Sequence, residues 1–242
     1  MRLVLALALL AASPALAQEG DAPARPDRRT FQPPEGCTAF LPVQMAACTV
    51  SHHFTCSADP QGWQRRVDMD EEGIAYSGAI DAETQWVESY HFLSGHREFL
   101  AADPADPASF TDLTTKGQDS FDFITNSPEL GPTRFVGQDR LIGETVTIDG
   151  VTLDRTEFRI TAYAPDGSEA WSSTGNEYIS RDWRFFLSGT SSVVAGDTVE
   201  STEDAPVEFI FPEEPGFLSV SPKHGCGLTM SALDALSQGA RG

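Results

Sequence analysis

Lysine is nearly missing from this sequence: Lys116 and Lys223 are the only two in 242 residues. Bases are scarce altogether, 16 Lys and Arg against 36 Asp and Glu, for a formal charge of −20 at pH 7. A surface of that sign repels phosphate backbones and anionic lipid surfaces, so nucleic acid is excluded as a partner. Beyond the N-terminus no apolar run approaches the ~20 residues of a spanning helix, so no membrane span is expected in the mature protein. Cysteine is confined to four positions without a Cys-x-x-Cys pair, which removes the local equipment of thioredoxin-like exchange. Gly-x-Ser-x-Gly, Ser-x-x-Lys, His-Glu-x-x-His and a Gly-rich phosphate loop are also missing, and with them the usual serine-hydrolase, zincin and nucleotide chemistries. The sequence therefore offers no catalytic residue, and no cofactor is expected. A hydrolase whose triad comes from distant residues stays open, because triads are defined by geometry and not by spacing.

What is present begins with an export signal. Met1-Arg2 gives a positive start, Leu3 to Ala12 is an apolar run of Leu, Val and Ala, and Ser13-Pro14 breaks it. Ala15-Leu16-Ala17 is a small-x-small cleavage site before Gln18, so residues 1–17 read as a cleavable signal peptide and the mature chain as periplasmic or secreted. Residues 18–35 are Pro-rich, charged and nearly free of aliphatics, the composition of a disordered leader. A single β-rich domain is expected over 36–238.

Four cysteines in an exported chain imply disulfides among Cys37, Cys48, Cys56 and Cys226. If 48–56 is one strand, Cys48 and Cys56 lie about 26 Å apart at ~3.3 Å per residue and cannot bond to each other. A turn at Ser51-His52 would instead permit Cys48–Cys56 and leave Cys37–Cys226. Every pairing ties Cys226 to the N-terminal cluster, with Cys48 or Cys37 favoured as its partner.

From Cys37 onward the pattern is mostly strands. Gln64–Asp70, Ile74–Ile80 and Thr84–Leu93 alternate, with Glu71-Glu72-Gly73 turning between the first two. One helix is expected, with Asp106 as N-cap, Pro107 at the first helical position, Phe110 and Leu113 on its apolar side and Gly117 at its end. Asp149-Gly150 is the strongest hairpin signal, followed by the Pro165-Asp166-Gly167 turn. Trp183, Phe185 and Leu187 share a face. Thr198–Pro206 is acidic and reads as an exposed loop, Val207–Phe211 as a strand, 212–226 as irregular, 228–236 as a short terminal helix and 239–242 as a frayed tail. Consecutive hairpins give a mainly β fold: a curved antiparallel sheet or half-barrel with one or two short helices.

Asp68-x-Asp70-x-Glu72-Gly73 is similar to the start of an EF-hand loop, but Ala79 stands where a bidentate acid is required, so a polar turn is the better reading. Of the five histidines, His52, His53 and His224 flank the cysteines. A bridge between the chain ends would bring His224 toward one of the other two, the start of a copper or zinc site. The aromatic set, from Trp86 to Phe211, suits either an ordinary core or the lining of a ligand cavity.

The run Val136–Leu187, with long hairpins around Asp149-Gly150 and Asp166-Gly167, resembles the sheet of exported half-barrel proteins of the lipoprotein-carrier type (LolA/LolB-like). That resemblance implies a curved sheet around a hydrophobic ligand cavity and assigns no site residue. The reading that follows is an exported, non-catalytic protein of the cell envelope that binds an apolar small molecule or an envelope protein. The alternatives are the distant-residue hydrolase and a periplasmic metal-binding protein.

Overall fold

The computed structural model describes residues 29–227. The expected signal peptide, most of the expected leader, the expected helix at 228–236 and the expected frayed tail lie outside the described residues.

The elements follow one another as hairpins: β1 (Cys37–Met45), β2 (Thr49–Cys56), β3 (Gln64–Met69), β4 (Ile74–Ile80), β5 (Trp86–His91) and β6 (His96–Leu100). Helix α1 (Phe110–Lys116) precedes β7 (Gln118–Ser127), β8 (Gly131–Ile148), β9 (Val151–Tyr163), β10 (Glu169–Ser180), β11 (Phe185–Ala195), β12 (Thr198–Glu203) and β13 (Pro206–Phe209). All belong to one antiparallel sheet in which each strand pairs with its predecessor, except that β13 returns to pair with β1. β12 and β13 are its two edges, so the sheet is curved but not closed into a barrel. The expected class is the observed one, with a single helix among the described residues.

Local chemistry explains the elements. In β7 the residues Asp119, Phe121, Phe123, Thr125 and Ser127 alternate strictly with more exposed neighbours, the period of a strand with one covered face. Asp149 and Gly150 both take positive φ, 47° and 79°, as a two-residue turn matched to strand twist requires. The acidic segment at 70–73 is a turn in which Asp70 accepts hydrogen bonds from the Glu72 and Gly73 N–H groups, both at 2.9 Å.

Three expectations need correction. The N-cap of α1 is Ser109, whose Oγ accepts from Asp112 N at 3.1 Å. Asp106 is held in extended backbone by a two-way bridge to Asp122, at 2.9 and 2.7 Å, and so cannot start a helix. Thr198–Glu203 is the edge strand β12 and not a loop: it pairs with β11 although all six residues are exposed. An exposed strand carrying Glu200 and Glu203 has no apolar alternation to reveal it, and its charges discourage further pairing at the edge. Finally, the ordered fold reaches back past residue 36. Thr30 bridges Ser219, Phe31 N donates to Leu218 O at 2.7 Å, and the Phe31 ring is 8% exposed, packed with Phe54 and Val67.

Two features roll the sheet on itself. The His53 ring from β2 stacks on Phe185 of β11, centroids 4.3 Å apart. Leu41, Val43 and Met45 of β1 share a core with Leu153, Phe185, Leu187 and Phe209. Phe209 N also donates to Asp149 Oδ2 at 2.9 Å, fixing the β8–β9 turn against β13. Two disulfides lock the arrangement. Cys37–Cys56 joins directly opposed positions of β1 and β2, and Cys48–Cys226 ties the β1–β2 turn to the C-terminal segment, 178 residues away. β2 runs unbroken as a strand, so the turn at Ser51-His52 that a Cys48–Cys56 bridge needs does not form. In the chain-entropy account the long bridge stabilises by about 5 kcal/mol and the short one by about 3 kcal/mol. Two disulfides belong to an oxidising, non-cytoplasmic compartment. No helix among the described residues is long and apolar enough to cross a membrane.

Candidate functional site

Residues opposed across an antiparallel sheet share a face. Register therefore places Leu41, His53, Arg66, Gly78, Ser89 and Glu98 in one row across β1–β6, and Val43, Ser51, Asp68, Tyr76, His91 and His96 in the row beside it. This is the inner face, and half of it is polar. On β7–β10 the same face carries Phe123, Phe135, Ala162 and Trp171 in one row. Its lower part brings Asp119, Asp139, Thr156 and Glu177 alongside.

Arg66 is the centre of the polar half. Its Nε lies 3.2 Å from Asp68 Oδ1 and its guanidinium sits 5.0 Å from the centroid of Tyr76. Tyr76 folds across Gly78, where a Cβ would meet the phenol, so any larger residue there must displace the Tyr76 ring. Ser51 Oγ donates to Asp68 Oδ1 at 2.7 Å. Burial works against the Arg66 charge, but the fields of Asp68, Tyr76, Glu177 and Asp204 outweigh it and hold the group charged. The roll of the sheet thus sets a guanidinium of β3 in the field of a carboxylate of β10 and of another in the β12–β13 connection.

The carboxylates outnumber it. Burial pushes the Glu177 carboxyl up, the charge of Asp139 pushes it further, and Arg66 pulls back. Asp139 is raised by burial and then by Asp119. Asp119 is raised to about 6, by burial first, against the pull of the Ser109 N–H at 2.8 Å. Asp204 is raised by burial while accepting from Ala47 N at 2.9 Å. Glu177 and Asp139 sit deep among protein atoms yet keep part of their surface in water, as does Arg66, whose side chain is 34% exposed. Water therefore reaches this recessed part of the rolled sheet's inner face, and desolvation there is weaker than in a sealed core. Among the described residues, neither the Glu177 nor the Asp139 carboxylate accepts a side-chain hydrogen bond or joins an ion pair.

The apolar half adjoins it. Phe121, Phe123, Phe135, Ile160 and Ala162 form a buried cluster with Leu100, Phe158 and Trp171 around it. Trp86 lies edge-on to Phe123 and Phe135 at 5.6 and 5.5 Å but is 44% exposed. Trp86 is thus a large aromatic side chain half open above a buried aromatic floor.

A groove of about 510 Å³ lies on the opposite face, between Phe54, Tyr90 and Phe99. Its basic groups are already matched: Arg65 pairs with Asp59 and Glu88, Arg66 with Asp68, and Arg97 with Glu129. The groove has room for a ligand, but the unpaired titratable groups are on the inner face, and chemistry is the better guide.

The sequence-based metal candidates are not gathered. His52 points to the outer face and stacks on Phe31 at 4.5 Å, while burial lowers it to about 4. His53 is on the inner face, neutral by burial and by the charge of Arg66. His224 lies 3.7 Å from Glu208, and no group of three potential donors among the described residues contains His52, His53 or His224. Burial removes His52 and His53 from titration near neutrality and makes them packing groups.

One Ser, His and Glu set does meet. Ser89 Oγ is 3.3 Å from His91 Nε2, and Glu98 Oε2 is 3.8 Å from that same nitrogen. A nucleophilic triad needs the acid on the other nitrogen, orienting the ring, so this set does not assemble the hydrolase alternative.

Sequence reading missed the inner-face acids. Glu177 and Asp139 sit in alternating strands as ordinary polar positions, and only the register sets them beside the aromatic row. The sole sequence signal was parity: Asp139 shares its face with Phe135 and Gly137, and Glu177 with Ser173 and Gly175. The chain matches no protein-family model, no curated protein and no solved structure.

Proposed function

We propose that this is an exported, non-catalytic binding protein that holds an amphipathic small molecule on its inner face. The apolar body lies against Trp86 and Trp171, which cover the buried Phe123 and Phe135. A basic or hydrogen-bond-donating group reaches Glu177 and Asp139. The observation that carries the reading is the unpaired state of those two carboxyls on the same face as the half-exposed Trp86 and its buried aromatic floor. Burying an acid without a partner costs stability, and perturbed groups of this kind concentrate at functional sites. The layout resemblance to lipoprotein carriers supports the same use of a curved sheet. The signal-like N-terminus and the disulfides support a periplasmic or secreted location.

Purification of the full chain from periplasm, followed by native mass spectrometry, tests the reading. An adduct of constant mass, lost on Trp86→Ala, is the expected result. A bare wild-type protein that also fails to take up the neutral fluorophore N-phenyl-1-naphthylamine contradicts it.

A further inference from the structure

Two clusters of three potential metal donors exist among the described residues: Cys48, Glu71 and Cys226, and His91, His96 and Glu98. In the first, both sulfurs are consumed by a disulfide. The second is free of that objection. We propose that His91, His96 and Glu98 form a binding site for a divalent transition metal ion of the zinc–copper class, separate from the amphiphile recess.

The β5–β6 hairpin builds the site. His91 and His96 are directly opposed across the two strands, and their rings stack with centroids 4.5 Å apart and planes at 8°. Glu98 follows His96 by two residues and so stands on the same face. One donor atom from each of the three lies within 4.8 Å of the others, and His91 Nε2 is 3.8 Å from Glu98 Oε2. A tetrahedral ion with bonds of about 2.0–2.1 Å needs donors roughly 3.3 Å apart. Side-chain rotation of about an ångström closes that gap, with no change to the hairpin backbone.

The surroundings suit a metal. His96 Nδ1 lies 2.8 Å from Ser94 Oγ. Donation of the Nδ1 proton to that hydroxyl leaves Nε2 with its lone pair for an ion, the usual support of a ligating imidazole. Glu98 supplies negative charge and is steadied by Thr125 Oγ1 at 3.4 Å. The His91 side chain is 39% exposed and Glu98 13%, so an ion has access from solvent. Two imidazoles and one carboxylate leave a fourth position for water, a donor set that zinc and copper share.

Calorimetric titration of chelator-treated full chain, disulfides intact, with zinc chloride and copper sulfate tests this. One saturable equivalent is expected for wild type. His91→Ala and His96→Ala should each weaken zinc binding at least tenfold, Ser94→Ala less, and His224→Ala not at all. Copper electron paramagnetic resonance should show two coordinating nitrogens in wild type and one in His96→Ala. Far-ultraviolet circular dichroism checks folding, and His96→Asn replaces His96→Ala if that variant unfolds. The absence of saturable binding to wild type, or unchanged affinity in both folded histidine variants, overturns the proposal. Glu177→Gln should leave zinc affinity unchanged, which separates this site from the recess.

Discussion

His53 of β2 lies flat on Phe185 of β11, with ring centroids 4.3 Å apart and planes 12° apart. The contact joins two strands that are far apart in the sheet order, so it exists only when the sheet has rolled. It also requires a neutral imidazole, because the ring is 3% exposed and Arg66 is close. His52, behind it on the other face, is lowered to about 4. The unfolded chain binds protons at both rings near pH 6.5 while the native state does not. Their contribution to stability is therefore present above about pH 6.5 and is lost as pH falls. Proton NMR of the five histidines should show two rings that do not titrate between pH 8 and pH 5. Five ordinary titrations near 6.5 would contradict the packing.

Removing Cys48–Cys226 by the double substitution Cys48→Ala, Cys226→Ala should cost about 5 kcal/mol, against about 3 kcal/mol for Cys37→Ala, Cys56→Ala. Urea unfolding of the two variants compares them directly. Equal losses would show that the C-terminal segment is not held by the long bridge. Peptide mapping without reductant should recover Cys226 joined to Cys48 alone.

Phe31→Ala should destabilise by about 3 kcal/mol, the usual cost of emptying a buried phenylalanine site. The variant also uncovers His52, whose ring rests on Phe31 at 4.5 Å. The His52 titration should move up toward 6.5 in the same protein. A stability change below 0.5 kcal/mol would mean that residues 29–35 only lie on the surface.

These predictions also mark how far the sequence was readable. Hairpin turns were legible because their chemistry is local: Asp149-Gly150 supplies two positive φ values, and alternation on either side declares the strands. The tie from Cys226 to the N-terminal cluster followed from counting cysteines. Phe31 was hidden because one aromatic in a Pro-rich segment gives no period, and its partners Phe54 and Leu218 are distant in sequence. β12 was hidden because an exposed edge strand has no buried face to create a pattern. The inner recess was hidden for a third reason. Arg66, Asp139 and Glu177 belong to strands whose meeting depends on the accumulated curvature of the sheet, which no window of sequence contains.

Glu177 should trade stability for function. A carboxyl raised by burial keeps a proton that the unfolded chain releases, so its contribution to stability falls as pH climbs from about 4 through its raised value. Glu177→Gln removes that penalty. At pH 8 the variant should be more stable than wild type by about 1–2 kcal/mol, allowing for the water that reaches the group. That is ~2–8 °C in Tm for a domain of this size. Near pH 4 the two should melt together. A variant less stable than wild type at pH 8 would show that the carboxylate is satisfied within the fold.

The most direct measurement is displacement of N-phenyl-1-naphthylamine from the full chain by dodecylamine and by dodecanoate at pH 7.5, in wild type and in Glu177→Gln. The two amphiphiles share an apolar body and differ in the sign of the head group. Dodecylamine should displace the fluorophore from wild type at least tenfold more effectively than dodecanoate, and that preference should collapse in Glu177→Gln. Equal displacement by both in wild type, or a preference that survives Glu177→Gln, would contradict a recess built around unpaired acids.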